Sequence, residues 1–394
     1  SARLTPRVMD LVDHNDGRVM VRPSELGGEG IFAARTFQPG DQVFCEPHVA
    51  RLGVTVLHRN EEELRDKFDE LAAHDSGITL AKLRATTLFR GSSSSLAEER
   101  RAAYEKWSSS TWPDAGACHQ EAMADAMAIM SYNSYCSANS AWQVVYPTIS
   151  KVNHSCMSNA TTIASEDGMG ELVCLLPIAE GDEILTSYLC DADLARPTSQ
   201  RKEILLERWE FECRCSRCAA SIDDTRRFTC LGLHGAQPGW TDVEELGDPQ
   251  ACLSHETPCC SGTCFVSATD AEGMLPCSVC QSCPTSRAEA WLRREEEGEA
   301  FLQAMPETLF EAWAKLEEFA EIHPSHGLSG RWKQQLALHT EVEALRADTP
   351  EEADELHAMV DQYWAEHQRC LAALLPERGE GGVLGAKVTA KRER

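Results

Sequence analysis

The chain has 394 residues, 42% of them hydrophobic, and a net charge of −26. That much apolar material supports two or three packed domains, and no run approaches the roughly 18 apolar residues of a membrane span. So acidic a surface argues against a protein that coats nucleic acid and favours a basic protein partner, ordinary solvated acidic surface being the plain alternative. The opening Ser1-Ala2-Arg3-Leu4 has no signal-peptide core, and many of the 18 cysteines fall one or two residues apart. Both features point to metal ligation in a reducing, intracellular compartment rather than to disulfides.

In chain order, residues 21–50 read as short strands and turns. Leu26-Gly27-Gly28-Glu29-Gly30 is a glycine turn running into Ile31-Phe32-Ala33-Ala34, and Gln38-Pro39-Gly40-Asp41 turns into the alternating Gln42-Val43-Phe44-Cys45. Glu180-Gly181-Asp182 followed by Glu183–Tyr188 repeats that layout. Residues 60–130 read as helical: Leu64, Phe68 and Leu71 share a helix face, Gly91–Ser95 is a loop, and Met123, Met127 and Met130 are core residues of a small-residue helix. Residues 131–190 return to irregular strands, and cysteine dominates 213–283. From about 286 to 375 the spacing of Trp291, Phe301, Leu309, Trp313 and Phe319 predicts three or four packed helices. One of them starts at Thr349-Pro350-Glu351-Glu352, with Thr349 as cap, Pro350 as first helical residue and Glu352 closing a capping box. Residues 379–394, glycine-rich and then basic, read as a mobile tail.

Two cysteine constellations carry metal chemistry. Cys213-x-Cys215-x2-Cys218 offers three thiolates where zinc takes four in a tetrahedron. Cys156 is the candidate fourth, the alternative being a buried free thiol. Downstream, Cys277-x2-Cys280 is a second knuckle and Cys260-Ser261-Gly262 resembles half of a zinc ribbon. The chosen set is Cys230, Cys260, Cys277 and Cys280, with Cys259, Cys264 or Cys283 as possible substitutes and His234 and His255 read as surface residues.

Four pieces, in order, resemble the SET-domain protein lysine methyltransferases, and within them the SET-and-MYND-domain branch. They are Gly28-Glu29-Gly30 before Ile-Phe-Ala, Tyr146–Ser150 running into Asn153-His154-Ser155-Cys156, the strand Leu185–Leu189, and Phe211-x-Cys213-x-Cys215-x2-Cys218. The resemblance covers residues 22–218. It implies an α+β chain: a SET fold of small curved β-sheets with a pseudoknot, a helical insert, a zinc-bound post-SET region and a carboxy-terminal tetratricopeptide-like helical domain. The boundaries it suggests are 18–50 for the first part of the SET domain, 51–130 for the insert, 131–192 for the SET core, 193–285 for the post-SET and second zinc region, 286–378 for the helices and 379–394 for the tail. It places Gly28, Glu29, Gly30, Asn133, Asn153, His154, Tyr188 and Phe211 around S-adenosylmethionine, with Phe211 stacking on the adenine. Ser155 serves the turn, and Cys156 goes to a zinc. Tyr188 matches the catalytic tyrosine, and Tyr135 and Trp209 line the lysine channel.

The sequence also departs from the branch. No cysteine occurs between Cys45 and Cys118, so the MYND zinc module is missing. Tyr135 stands where the branch usually has Phe, and Trp209 where it has Tyr, which leaves the number of methyl groups added open. The second cysteine cluster and Asp223–Phe228 resemble protist members that lack MYND, such as the apical complex lysine methyltransferases, which makes an apical cytoskeletal location conceivable. The expected function is transfer of methyl groups to lysines of a protein, histone or cytoskeletal, in cytoplasm or nucleus, with at least two structural zinc ions; the sequence leaves the oligomeric state open, a homodimer included. A catalytically silent, zinc-stabilised binding scaffold is the competitor, and the intact Tyr188, Asn153 and His154 argue against it.

Overall fold

The structure, a computed structural model, describes residues 17–53, 83, 95–136, 142–165, 168–230, 263–268, 273–277, 285–304, 325–347 and 349–374. Along the chain run β1 (Val19–Pro23), β2 (Glu29–Ala33), β3 (Gln42–Pro47), β4 (Ala50–Gly53), α1 (Ser95–Thr111), α2 (Ala117–Asn133), β5 (Ser134–Cys136), β6 (Trp142–Val145), β7 (Asn153–His154), β8 (Ala160–Ala164), β9 (Met169–Cys174) and β10 (Glu183–Thr186). Then follow α3 (Asp191–Leu194), α4 (Thr198–Trp209), α5 (Ser216–Ala219), β11 (Ile222–Thr229), β12 (Thr263–Ser267), α6 (Thr285–Ala304), α7 (Gly327–Ala344) and α8 (Pro350–Leu374). Two compact units emerge. One holds residues up to Tyr188 with Ile204–Cys213, the other Leu189–Glu203 and residues from Arg214 onward.

The first unit is built from three small sheets, ordered β1-β2-β10-β7, β3-β9-β8 and β4-β6-β5. Its strands are short because turns interrupt them every few residues. The two similar turns of the sequence form as read: Gly40 and Gly181 both sit at φ +91°, a left-handed conformation that suits glycine. In each turn an aspartate side chain accepts a backbone N–H three residues earlier, Asp41 from Gln38 at 2.8 Å and Asp182 from Ala179 at 3.1 Å. The chain just before the two turns pairs with itself, Phe37 with Ile178. Between these sheets lies an apolar core that includes Ile31, Phe37, Val43, Ile149, Val152 and Ile184. A second cluster gathers Met123, Ile129 and Met130 of α2 with Trp112 and Val145, and Met127 packs against it, so these methionines are core as expected.

The central strand pairing fixes the site. β10 lies antiparallel to β2, Ile184 opposite Ile31, and parallel to the two-residue β7, Leu185 opposite Asn153 and Thr186 opposite His154. Such alternation sends Ile184 and Thr186 inward. Ser155 N–H continues the ladder to Thr186 O at 2.9 Å, and Ser155 Oγ accepts Met157 N–H at 3.0 Å. The serine serves the turn.

In the second unit, β11 and β12 pair antiparallel with an irregularity between Asp223 and Arg227. The core joins Phe228 and Val266 to Trp291, Trp332, Leu336 and Tyr363 from the helices. The start of α8 matches its sequence signature: Thr349 Oγ1 accepts Glu352 N–H at 3.2 Å. The expected helical residues Leu64, Phe68, Leu71, Leu309, Trp313 and Phe319, and the tail, lie outside the described residues.

Candidate active site and metal centres

Tyr188 follows β10 directly. Its backbone N–H donates to His154 Nδ1 at 3.0 Å, and its hydroxyl donates to Val152 O at 2.8 Å. Because Nδ1 accepts, the neutral ring carries its proton on Nε2, which lies 3.4 Å from Cys156 Sγ. One buried imidazole thus ties the tyrosine to a cysteine two residues from itself. Three rings surround Tyr188: His154 and Trp209, each with centroids 5.3 Å away, and Phe211, perpendicular at 6.1 Å. Phe211 also lies 5.8 Å from His154. Trp209 does not turn off into a core. Its indole N–H donates to Tyr132 O at 3.2 Å while its ring faces Tyr188.

Tyr135 lies on β5, its hydroxyl donating to Ile149 O at 3.3 Å and its ring 5.8 Å from Tyr146. Burial pushes the Tyr135 phenol up to about 12; the nearby Thr162 and Thr186 hydroxyls oppose the shift and the charge of Glu46 adds to it. Burial, with Tyr135 and Glu183 nearby, raises Tyr188 further still. Both phenols therefore stay protonated at neutral pH. They can donate hydrogen bonds and are unsuited to act as bases.

On the other side of β7, Asn153 Nδ2 donates to Glu183 Oε1 at 2.8 Å and to Glu29 O at 3.1 Å. Ser24 Oγ donates to the other oxygen of Glu183 at 2.9 Å. A Cβ on Gly30 would clash with that carboxylate and lie 3.0 Å from Asn153 Nδ2. Gly28 sits at φ +62°. The left-handed backbone of Gly28 favours glycine, and a side chain at Gly30 would oblige the Glu183 carboxylate to shift. Lys151 pairs with Glu29 at 2.7 Å. Asn133, buried at the end of α2, donates to Ile129 O at 2.8 Å and accepts Ser150 Oγ on its carbonyl at 2.9 Å.

Cys156, Cys213, Cys215 and Cys218 bring four sulfurs within 4.8 Å of one another. Tetrahedral zinc with sulfur at about 2.3 Å sets its ligands about 3.8 Å apart, so the group fits. Its surroundings fit too. The Arg201 guanidinium, fully buried, lies 3.8 Å from Cys218 Sγ, and His154 Nε2 faces Cys156. A buried cation and an N–H donor suit thiolates better than neutral thiols. Cys156 lies with the other three sulfurs rather than by itself. A second group joins Cys230, Cys264 and Cys277, all buried. Of the chosen set, Cys230 and Cys277 come together; Cys260 and Cys280 lie outside the described residues, and Cys264, weighed only as a substitute, takes a place.

Sequence reasoning passed over Glu46, which is buried and accepts Thr148 N–H at 2.8 Å and Ile149 N–H at 2.5 Å. It holds the turn that carries Tyr146–Ser150. An acidic residue in a strand run beside Val43 and Phe44 was the available signal. Glu183 and Glu210 were missed as well, since both sit at turn or helix ends where glutamate is ordinary.

The comparisons with known proteins agree with this geometry. The SET domain family matches residues 28–189. Curated relatives include N-lysine methyltransferase SMYD2-A of Xenopus laevis, 28% identical over 113 residues, which are 29% of this chain and 22% of that protein. Human histone-lysine N-methyltransferase SMYD3 is 30% identical over 125 residues, 31% of this chain and 27% of that protein. Protein-lysine N-trimethyltransferase SMYD5 of Gallus gallus is 37% identical over 81 residues, 20% and 19% of the two chains. Residues 28–189 are thus similar to a SET domain. The chain's similarity lies with the SMYD branch, although it matches less than a third of the length of each of these relatives.

Proposed function

We propose that the chain is a protein lysine N-methyltransferase, transferring methyl from S-adenosylmethionine to the ε-amine of a lysine. The observation that carries this reading is the ring of His154, Trp209 and Phe211 around a Tyr188 whose phenol stays protonated. The cofactor would supply an electrophilic methyl carbon on its sulfonium; the neutral lysine nitrogen would bond to that carbon in line as the carbon–sulfur bond breaks and S-adenosylhomocysteine leaves. The demands on the protein are alignment and desolvation. The Tyr188 hydroxyl is positioned to orient the amine, with Tyr135 and Trp209 as channel walls. Gly28, Glu29, Gly30, Asn133, Asn153 and Phe211 form the cofactor cradle. Both nitrogens of the His154 ring already face protein atoms, so its contribution to the cradle is its backbone and ring face. The incoming ammonium loses its proton to water, helped by an apolar channel and the neighbouring sulfonium.

Zinc at Cys156, Cys213, Cys215 and Cys218 is structural in this reading, because four thiolates leave no open position. Cys230, Cys264 and Cys277 belong to a second structural site. Residues 18–50 and 131–192 serve as the SET parts, 51–130 as the insert, 193–285 as the zinc-bearing region and 286–378 as a helical domain. The substrate is a protein presenting a lysine in basic surroundings, histone or cytoskeletal, met in cytoplasm or nucleus; a net charge of −26 favours such a partner and disfavours nucleic acid. No described helix is long and apolar enough to cross a membrane. A place among the apical complex enzymes rests on Asp223–Phe228 and the cysteine spacing alone. The test is tritiated-methyl transfer from S-adenosylmethionine onto fractionated protein extracts, with the labelled residue identified. Label on lysine supports the reading. Absence of label together with absence of cofactor binding leaves the silent scaffold.

A further inference from the structure

Glu210 is the one non-glycine residue at positive φ among the described residues, at +64°. It follows the last residue of α4, and its N–H closes the helix end on Leu206 O at 3.0 Å. Helices often end on a residue in this left-handed conformation, and glycine is the usual occupant. A glutamate there carries a backbone cost, and at a solvent-facing helix end nothing would offset it. This one does not face solvent: its side chain is 1% exposed.

One carboxylate oxygen carries the contacts. The Tyr132 hydroxyl donates to Glu210 Oε1. Arg100 Nη1 lies 3.6 Å from the same oxygen, donates to Arg208 O at 3.0 Å and approaches the Tyr132 hydroxyl at 3.4 Å. The Arg100 guanidinium also stands 5.6 Å from the Tyr132 ring centroid. Tyr132 meanwhile takes the Trp209 indole N–H on its own carbonyl at 3.2 Å. Two consecutive residues, Trp209 and Glu210, are therefore both fastened to Tyr132. Beyond them comes Phe211, the ring set against Tyr188 and His154. On the other side, Tyr132 is followed by Asn133.

We propose that Glu210, locked by Tyr132 and Arg100, is a positioning residue for methyl transfer: it sets where Trp209 and Phe211 stand around Tyr188. The proposal rests on the reading of Tyr188, Trp209 and Phe211 as the transfer site. In that arrangement the unfavourable backbone of Glu210 is retained because it places channel wall and cofactor wall on either side of one anchored residue. Glycine would relax the backbone and release both walls.

The test is calorimetric titration of the zinc-loaded full chain with S-adenosylmethionine, beside thermal unfolding. Glu210→Gly should leave the Tm unchanged or higher while weakening cofactor binding tenfold or more. Glu210→Gln keeps an acceptor for Tyr132 and should stay within about threefold of wild type. Tyr132→Phe, which removes the hydroxyl that donates to Glu210 and accepts from Arg100, should weaken binding at least threefold. Combined with Glu210→Gly it should add nothing, as expected for two groups acting through one contact. If Glu210→Gly does not fold, Tyr132→Phe and Glu210→Gln decide: a Tyr132→Phe affinity within 1.5-fold of wild type overturns the proposal. Binding by Glu210→Gly within twofold of wild type also overturns it, as does a loss that follows the Tm and is shared by Glu210→Gln. Wild-type protein that binds no cofactor overturns the underlying reading instead, and the proposal with it.

Discussion

The two units bury polar side chains in opposite ways. In the first, His154 and Glu46 are buried and each holds a segment of the site, His154 taking the Tyr188 N–H and Glu46 the turn before Asn153. In the second, the buried charges answer one another: Arg226 meets Glu295, with the His326 ring beside it, and Arg331 pairs with Glu299. Burying a polar group is costly unless it is paired. The second unit meets that condition internally, and its charges fix how α6, α7 and β11 pack. The first unit meets it around a cluster of aromatic rings with protonated phenols among them. Buried polarity gathered on one residue marks a site, and buried polarity closed on itself marks a frame.

The largest effect that sharpens this contrast is zinc removal. Structural zinc in small peptides is worth about 10–16 kcal/mol of apparent binding free energy. Chelation should unfold the segment around Cys213–Cys218 and abolish cofactor binding. Activity that survives verified zinc loss would show that the four thiols do not hold the site together. Next comes Tyr188→Phe. Removing one positioned hydroxyl should lower turnover about 100-fold or more, with cofactor affinity within threefold and the fold intact. Equal loss of cofactor affinity would make Tyr188 structural and erase the distinction between site and frame.

Glu295→Ala probes the frame. It strands buried Arg226, and breaking a buried pair costs about 3–5 kcal/mol; urea unfolding measures it, and cofactor affinity of the folded variant should not change. Burial alone would raise the Glu295 carboxyl, yet the neighbouring His326 and Arg226 outweigh burial and bring it down to about 2 from 4.5. A lowered pKa means stability that is present above the ordinary carboxylate range and lost as pH falls from there through about 2. The gap between wild type and variant should therefore shrink in acid. A gap independent of pH would contradict an ionised Glu295. The smallest effect is Trp209→Tyr, which should shift the ratio of mono- to dimethyl product by a few-fold in mass spectrometry. An unchanged ratio would place Trp209 outside the channel.

Much of this was legible in the residues. Asn153–Cys156 and Cys213–Cys218 stand out because polar, reactive side chains occur in rows that neither a helix nor a strand period explains, whereas Tyr188, at the end of a strand, is marked only by the family resemblance. The paired turns at Gly40 and Gly181 and the cap at Thr349 follow from local chemistry, and local chemistry is what a sequence states most directly. What stayed hidden was long-range. Glu46 reaches Ile149 across more than a hundred residues, and Glu183 reaches Asn153 across a parallel strand pair; neither distance leaves a mark in spacing. Cys264 was hard to choose for the same reason: its place beside Cys230 comes from the β11–β12 pairing, Phe228 opposite Cys264, and a strand register is not visible in cysteine spacing alone.

The most direct measurement is a calorimetric titration of the zinc-loaded chain with S-adenosylmethionine, repeated with Asn153→Ala. One site per chain, weakened tenfold or more by the substitution, is the expected result. No heat of binding, or equal binding by both proteins, would contradict a methyl-donor cradle built on β7.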